Sequence, residues 1–339
     1  MNLIDIHKQY GTQAKAIAHL EKLRWGKHPT CPYCDETERI SSYTDRQKHH
    51  CNACNSTFSV FVGTVFEENR LPLPQYFTVI ALMLNSPQGI SAKVIASNVG
   101  LPYKTAWYAA MRVRCGMVEQ VTNMRGTIEM DEMYLGAAND RDLKKVNKSK
   151  AVLSGKGAST APPKRGRGTS KVKIAGMVER NGRVVTRIMD TFNSYNMLQL
   201  LRKHVNEDKA TVVTDEARFY YALDKEVRHK TINKSKEGYA VGQRHTNTME
   251  GFWSIISNGL AGNYRSLSQK YLPFYLTEFC YKYNRRHRKG NRFDEYLRNA
   301  LAGPNCMVQA KPKQPPRVLV LKKRRVLVLK KRRTLVRKK

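Results

Sequence analysis

Three acidic residues occupy positions where carboxylates could hold metal ions for chemistry at phosphorus. Asp131 lies in the strand-forming run TIEMDEMYL, and Asp215 follows the apolar residues of a second predicted strand in ATVVTDEA. Glu250 comes after 34 intervening residues, on a predicted helix. Carboxylates in a strand are costly unless they are paired, hydrogen-bonded or bound to a metal. Two such aspartates and a glutamate can converge on two hard divalent cations such as Mg²⁺, which stabilise the attacking and leaving oxygens of a phosphoryl transfer.

The predicted helix around Glu250 is amphipathic. Its apolar face is predicted to contain Phe252, Ile255, Ile256 and Leu260. Its opposite face is predicted to contain Asn247, Glu250, Ser254 and Ser257. Glu250 should therefore point away from the packing face of its own helix and towards a cleft. Glu132, next to Asp131, should face away from it because neighbours on a strand point to opposite sides.

Two Cys-x-x-Cys pairs, CPYC and CNAC, are separated by 16 residues near the N-terminus. The four thiols belong to Cys31, Cys34, Cys51 and Cys54. This spacing is typical of one structural zinc with a complete tetrahedral shell and no open position for chemistry. The alternative is a pair of redox or incidental motifs, although a thioredoxin-like site would need one pair at the start of a helix. His49 and His50 could also be ligands, but with four cysteines present they are predicted to be surface residues.

The charge of the chain indicates its partner. Among 339 residues, 61 are Lys or Arg and 27 are Asp or Glu, which gives a net charge of +34. Such a field favours a polyanion such as DNA. An anionic membrane surface is the alternative, but no apolar run approaches the roughly 20 residues of a membrane span. The N-terminus lacks the apolar core of a signal peptide, so a cytoplasmic protein is expected.

The segment ISAKVIASNVGLPYKTAWYAAMRVR has the pattern of two short helices joined near Gly100. Such a pair is typical of a helix-turn-helix, whose second helix enters the major groove of DNA. An ordinary helical hairpin is about as common for this pattern alone, but the charge of the chain favours DNA binding. The predicted DNA-binding residues of the second helix are Lys104, Thr105, Tyr108, Arg112 and Arg114. Arg244 and Asn247, near Glu250, are also predicted to contact DNA.

The chain divides into four predicted segments. An N-terminal helix and zinc ribbon occupy residues 1–66, and the helix-turn-helix-like segment occupies 67–122. A segment of short strands followed by helices is predicted for 123–302, interrupted by a basic loop at 141–171. The tail, 303–339, repeats the sequence VLVLKKRR and has 14 basic and no acidic residues from Lys311 onward. It is predicted to be a disordered basic appendage, with a DNA-gripping arm as the alternative.

These motifs together resemble the insertion-sequence transposases of the DDE, retroviral-integrase-like superfamily that carry an N-terminal zinc ribbon. The resemblance rests on CPYC, CNAC, IEMDEMYLG, VVTDEARFYY, HTNTMEGFWS and GNYRSLSQKYLPFYLTEFCYKYNRR, and it extends over about residues 20–290. It implies an α+β multidomain protein in which residues 123–302 form a ribonuclease-H-like α/β catalytic domain with a mixed sheet. It also implies two Mg²⁺ or Mn²⁺ ions, and a homo-oligomer on DNA in the prokaryotic nucleoid. By position, the catalytic acids of the family correspond to Asp131, Asp215 and Glu250.

The resemblance implies cleavage and transfer of DNA strands at the ends of an insertion sequence. One position departs from the family pattern, because the Lys that usually lies seven residues after the Glu is Ser257 here. That departure favours an alternative, a catalytically impaired transposase-derived protein that still binds DNA at specific sequences. A Mg²⁺-dependent nuclease without strand transfer is a further alternative, since hydrolysis and transesterification use the same metals.

Overall fold

A computed structural model of the chain describes residues 2–43, 47–136, 171–233, 242, 244–264, 267–288 and 290–302. The chain forms two compact units. The first comprises Met1–Val118 together with the segment that begins at Arg288, and the second comprises Glu119–His287.

The first unit begins with helices and a small sheet. Helices α1 (Leu3–Tyr10) and α2 (Gln13–Trp25) replace the single N-terminal helix of the sequence prediction. The break falls at Gly11, after which Thr12 caps α2 by accepting a hydrogen bond from the Lys15 N–H. Strands β1 (Ile40–Tyr43), β2 (Lys48–Cys51) and β3 (Ser56–Phe58) then pair as an antiparallel sheet.

The helical part of this unit includes the predicted helix pair. Helix α3 is Leu73–Leu84, α4 is Ala92–Val99 and α5 is Tyr103–Gly116. Gly100 ends α4 in the left-handed conformation, with φ of +69°, which costs glycine least because it has no Cβ. The two helices with a turn at Gly100 therefore form as the pattern predicts.

A later helix of the sequence, α9, spans Arg292–Ala302 and packs in the first unit. The Tyr296 hydroxyl donates to the Val113 carbonyl at 3.1 Å, and the Asn299 amide donates to the Gly116 carbonyl at 2.6 Å. The sequence prediction places these residues in the catalytic segment, 123–302, whereas the structure places them in the first unit. The apolar face of α9 is buried among the N-terminal helices rather than against the second sheet.

The second unit is built on a mixed five-stranded sheet, as predicted. Its strands are β4 (Met124–Leu135), β5 (Val172–Glu179), β6 (Val184–Met189), β7 (Val205–Thr214) and β8 (Arg228–Thr231). Their order across the sheet is β6-β5-β4-β7-β8. The β4-β5 and β5-β6 pairs are antiparallel, whereas β7 runs parallel to both β4 and β8. The predicted hairpin between β5 and β6 turns at Asn181, whose φ is +57°.

Helices cover both faces of this sheet. Helix α6 (Ser194–His204) and a 3₁₀ helix (Arg218–Lys225) pack on one face. Helices α7 (Asn247–Gly259) and α8 (Leu272–Asn284) pack on the other. The core on the α7 side includes Met249, Phe252, Trp253 and Ile256. Ile255, predicted to lie on this apolar face, is instead 37% exposed, because the face is centred on Met249 and Trp253.

Two predicted features lie wholly or almost wholly outside the described residues. They are the basic loop at 141–171, of which only Lys171 is described, and the basic tail at 303–339. Across the described part of the chain, every helix is too short or too polar to span a lipid bilayer.

Candidate active site and zinc centre

The four predicted zinc ligands come together in the small N-terminal sheet. The sulfur atoms of Cys31, Cys34, Cys51 and Cys54 all lie within 4.8 Å of one another. The Cys31–Cys54 and Cys34–Cys51 sulfurs are 3.7 and 3.5 Å apart. A tetrahedral ion with Zn–S bonds of about 2.3 Å requires sulfurs about 3.8 Å apart. The thiols therefore fit one zinc ion with no position left for a substrate.

His49, predicted to be a surface residue, is buried at 6% exposure. Its Nε2 lies 2.9 Å from Glu21 Oε1, and its Nδ1 lies 3.0 Å from the Ser42 hydroxyl. These contacts join the ribbon to α2. The prediction was wrong because it considered only metal binding, whereas this imidazole has a packing role beside Trp25 and Phe58.

The parallel pairing of β4 and β7 brings Asp131 and Asp215 to the same end of two neighbouring strands. Glu129 on β4 is paired with Val213 on β7. Continued two residues beyond this last pair of the two strands, the same register would set Asp131 opposite Asp215, which directly follows the last residue of β7. Neighbouring strands are about 4.8 Å apart. The two predicted strand aspartates thus lie at the same end of the sheet, where the Asp215 carboxylate also accepts the Ala217 N–H at 3.0 Å.

Glu132 lies on the opposite face of β4 from Asp131. It accepts a hydrogen bond from the Tyr220 hydroxyl at 2.9 Å. Burial, followed by the negative charges of Glu132, Asp131 and Asp215, raises the pKa of Tyr220 well above its ordinary value. Tyr220 therefore remains a protonated donor beneath the acidic edge of the sheet.

Helix α7, which contains Glu250, is hydrogen-bonded to Asp131. The indole Nε1 of Trp253, one turn after Glu250, donates to Asp131 Oδ2 at 3.1 Å. This close approach depends on Gly176, which is paired with Asp131 across β4 and β5. A Cβ at Gly176 would lie 2.2 Å from Met249 Cε and 2.7 Å from the Trp253 ring. The Glu250 carboxylate is half-buried and accepts the Thr246 hydroxyl at 3.3 Å.

The three acids share this region without forming a tight cluster. Among the residues that the structure describes, the four cysteines are the only group of three or more candidate ligands within 4.8 Å of one another. Three like charges repel, and two ions about 4 Å apart do not require every oxygen to be that close. Carboxylate oxygens are the ligands that Mg²⁺ and Mn²⁺ prefer. The donor set therefore suits hard divalent cations.

The structure contradicts part of the predicted DNA surface. Arg112 and Arg114 are only 3% and 2% exposed. Arg112 Nε donates to the Val65 carbonyl at 2.9 Å, and its Nη2 donates to the Glu67 carbonyl. Arg114 Nη1 lies 3.4 Å from Met111 Sδ. These guanidinium groups support the loop before α3 and the core of the helical unit, so they cannot reach DNA.

The other predicted DNA residues remain accessible to differing degrees. Lys104 and Thr105 are exposed on the first turn of α5, and Asn247 is exposed at the start of α7. Tyr108 and Arg244 are half-buried.

Sequence reasoning missed Glu129, Arg180 and Trp253. Glu129 is two residues before Asp131, so the two-residue period of a strand could have placed both acids on one face. Arg180 and Trp253 carried no comparable signal, because their partners are distant in sequence.

Comparison with known proteins agrees with this architecture. The transposase zinc-ribbon domain family matches residues 11–57, and the ISXO2-like transposase domain family matches residues 123–284. An uncharacterized protein in transposable element ISH50 of Halobacterium salinarum is 26% identical over 283 residues, which cover 80% of this chain and 91% of that protein.

Among solved structures, a pre-cleavage Mos1 transpososome is 10% identical, with a TM-score of 0.26, over 66% of this chain and 77% of that one. That likeness is too weak to support any conclusion. The two family matches, a zinc ribbon followed by a transposase domain, coincide with the thiol cluster and the mixed sheet. The chain therefore belongs to the insertion-sequence transposases with an N-terminal zinc ribbon, proteins that act on DNA.

Proposed function

We propose that this protein is a DDE transposase that cleaves and joins DNA strands at the ends of an insertion sequence. Two observations support the proposal. The parallel β4-β7 register brings Asp131 and Asp215 to the same end of neighbouring strands, and the Trp253–Asp131 hydrogen bond attaches the helix that contains Glu250 to β4. The mixed sheet with helices on both faces is consistent with the ribonuclease-H-like domain that this family resemblance implies.

Asp131, Asp215 and Glu250 would hold two Mg²⁺ or Mn²⁺ ions. Bound metals of this kind activate a water or a 3′-hydroxyl and stabilise the charge that develops on the phosphate oxygens. The three carboxylates supply the ligands, while Trp253 fixes the rotamer of Asp131 and the Ala217 N–H fixes that of Asp215. Acidic residues belong in this basic protein because the metals need them, while Lys and Arg side chains hold the DNA backbone.

The proposal is tested by incubating the protein with Mg²⁺ and DNA that carries the inverted repeats flanking its own gene. Strand cleavage followed by joining to a second DNA is the expected result. Cleavage without joining would identify a nuclease instead. Specific binding without cleavage would favour the impaired DNA-binding protein, for which the exposed Ser257 on α7 is the supporting observation.

We propose that the exposed first turn of α5 contacts the DNA at the transposon ends. Replacing Lys104 by Ala should weaken binding to the transposon ends several-fold and leave the melting temperature unchanged. The slope of the logarithm of the binding constant against the logarithm of the salt concentration should fall in magnitude by about 1. Replacing Arg112 by Ala should instead lower the free energy of unfolding by about 2–4 kcal/mol, because buried carbonyls lose their donor. Binding titrations at two salt concentrations, beside melting curves, check both variants. A Lys104→Ala protein that binds normally would exclude this turn from the DNA interface.

A further inference from the structure

Glu129 is the most deeply buried acid near the candidate site, and it lies on the same face of β4 as Asp131. Its side chain is 0% exposed, and its Oε1 lies 2.7 Å from Arg180 Nε. It also accepts the Thr248 hydroxyl at 2.9 Å and the Met249 N–H at 3.0 Å. His245 Nδ1 lies 3.2 Å from it. A buried carboxylate is tolerated only with partners of this quality.

The partners of Glu129 come from two parts of the chain. His245, Thr248 and Met249 belong to the start of α7 or the residues before it, whereas Arg180 directly follows β5. Arg180 also donates from Nη2 to the His245 carbonyl at 3.1 Å and from its backbone N–H to the Thr127 carbonyl at 3.0 Å. The cluster therefore fastens the beginning of α7 to β4 and to the end of β5.

These hydrogen bonds help to determine the position of Glu250. The Met249 N–H that Glu129 accepts belongs to the residue immediately before Glu250. The second attachment, from Trp253 to Asp131, lies one turn later. Glu250 thus stands between two points at which α7 is hydrogen-bonded to acids of β4, so its position relative to Asp131 is determined on both sides.

We propose that Glu129 is a positioning residue of the metal site, which holds Glu250 at the correct distance from Asp131 by anchoring the first turn of α7. The inference rests on the proposed function, since it concerns the metals held there. Residues that orient metal ligands through hydrogen bonds commonly account for about 10- to 100-fold in metal affinity. An acid is required because its donors include a guanidinium, a hydroxyl and a helix N–H, all of which favour an anion.

The test uses the full-length, zinc-loaded protein, with free Mn²⁺ measured by electron paramagnetic resonance during a titration. Mn²⁺ binding to the acidic site is taken as the binding that is present in the wild type and absent from the Asp131→Asn variant. Glu129→Gln is expected to weaken this binding by about 10- to 100-fold. Its cleavage activity should require correspondingly more Mg²⁺ and should recover at high Mg²⁺, which a loss of folding would not allow.

A matched control is Glu278→Gln. Glu278 is also 0% exposed, is paired with Lys282, and accepts the Tyr264 hydroxyl at 3.0 Å, but it lies on α8. This variant should lose stability to a similar extent while its Mn²⁺ affinity stays at the wild-type value. Equal weakening in both variants would overturn the proposal, because it would show a general effect of a damaged core.

The remaining outcomes are also decisive. Wild-type Mn²⁺ affinity in a folded Glu129→Gln protein would overturn the inference and leave the proposed function intact. Wild-type protein that binds no more Mn²⁺ than Asp131→Asn would refute the metal site itself. If Glu129→Gln does not fold, Thr248→Val decides, since it removes one donor and keeps the Arg180 ion pair. A several-fold loss of Mn²⁺ affinity in that variant supports the proposal, and unchanged affinity overturns it.

Discussion

Asp131→Asn, Asp215→Asn and Glu250→Gln are each expected to abolish strand cleavage while the melting temperature and DNA binding stay near wild-type values. Each substitution keeps the shape of the side chain and removes the charge that a divalent cation needs. Asn at 131 retains an oxygen that can accept the Trp253 N–H. Each substitution also removes one negative charge that repels the DNA phosphates, so DNA binding should be unchanged or tighter. A cleavage gel beside a melting curve measures both properties.

Glu132→Gln and Glu216→Gln are the internal controls for these variants. Glu132 faces Tyr220 on the other side of β4, and Glu216 is exposed. Both variants should retain cleavage within about tenfold, which is about 1.4 kcal/mol of barrier. If Asp131→Asn instead lost about 3–5 kcal/mol of stability and DNA binding fell together with activity, Asp131 would be a buried ion-pair partner rather than a metal ligand.

Local patterns predicted the elements that carry the candidate site. A short run of strand-forming residues predicts β4, Asn-Gly marks the hairpin after β5, and two Cys-x-x-Cys motifs define the ribbon. These features depend on interactions between residues close in sequence, or on ligands with few alternatives. For that reason the helix pair around Gly100 also follows from the sequence. The mixed sheet joins strands that are distant in the chain, and it is expected from the family resemblance rather than from local patterns.

Features that depend on distant partners could not be predicted in this way. Arg112 has the position of a solvent-facing residue on an amphipathic helix, but carbonyls more than 40 residues earlier in the chain bury it. Helix α9 lies inside the predicted catalytic segment, and only its packing assigns it to the first unit. The role of Glu129 depends on Arg180 and on the start of α7, whose positions are set by the completed sheet.

The ribbon should depend on its zinc. Its own core consists of little more than Cys31, Cys51 and Phe58, with Trp25 and Ile40 packed around them. A sheet this small buries too little apolar surface to fold without a metal. Burial raises the pKa of the Cys31 thiol to about 12, so a bound cation is needed to hold it as a thiolate.

Cys31→Ser and Cys54→Ser are therefore expected to lose the zinc, which should be present at about one ion per chain in the wild type. Residues 25–66 should then unfold locally, because metal binding and folding are coupled in such sites. Elemental analysis gives the zinc content, and hydrogen exchange locates the unfolding. Cys280→Ser is the matched control, since burial beside Thr186 raises the pKa of Cys280 to about 12 and no other cysteine accompanies it among the described candidate ligands. That variant should keep its zinc and an ordered ribbon. A metal-free protein with a protected ribbon would show instead that the four thiols fold around one another without an ion.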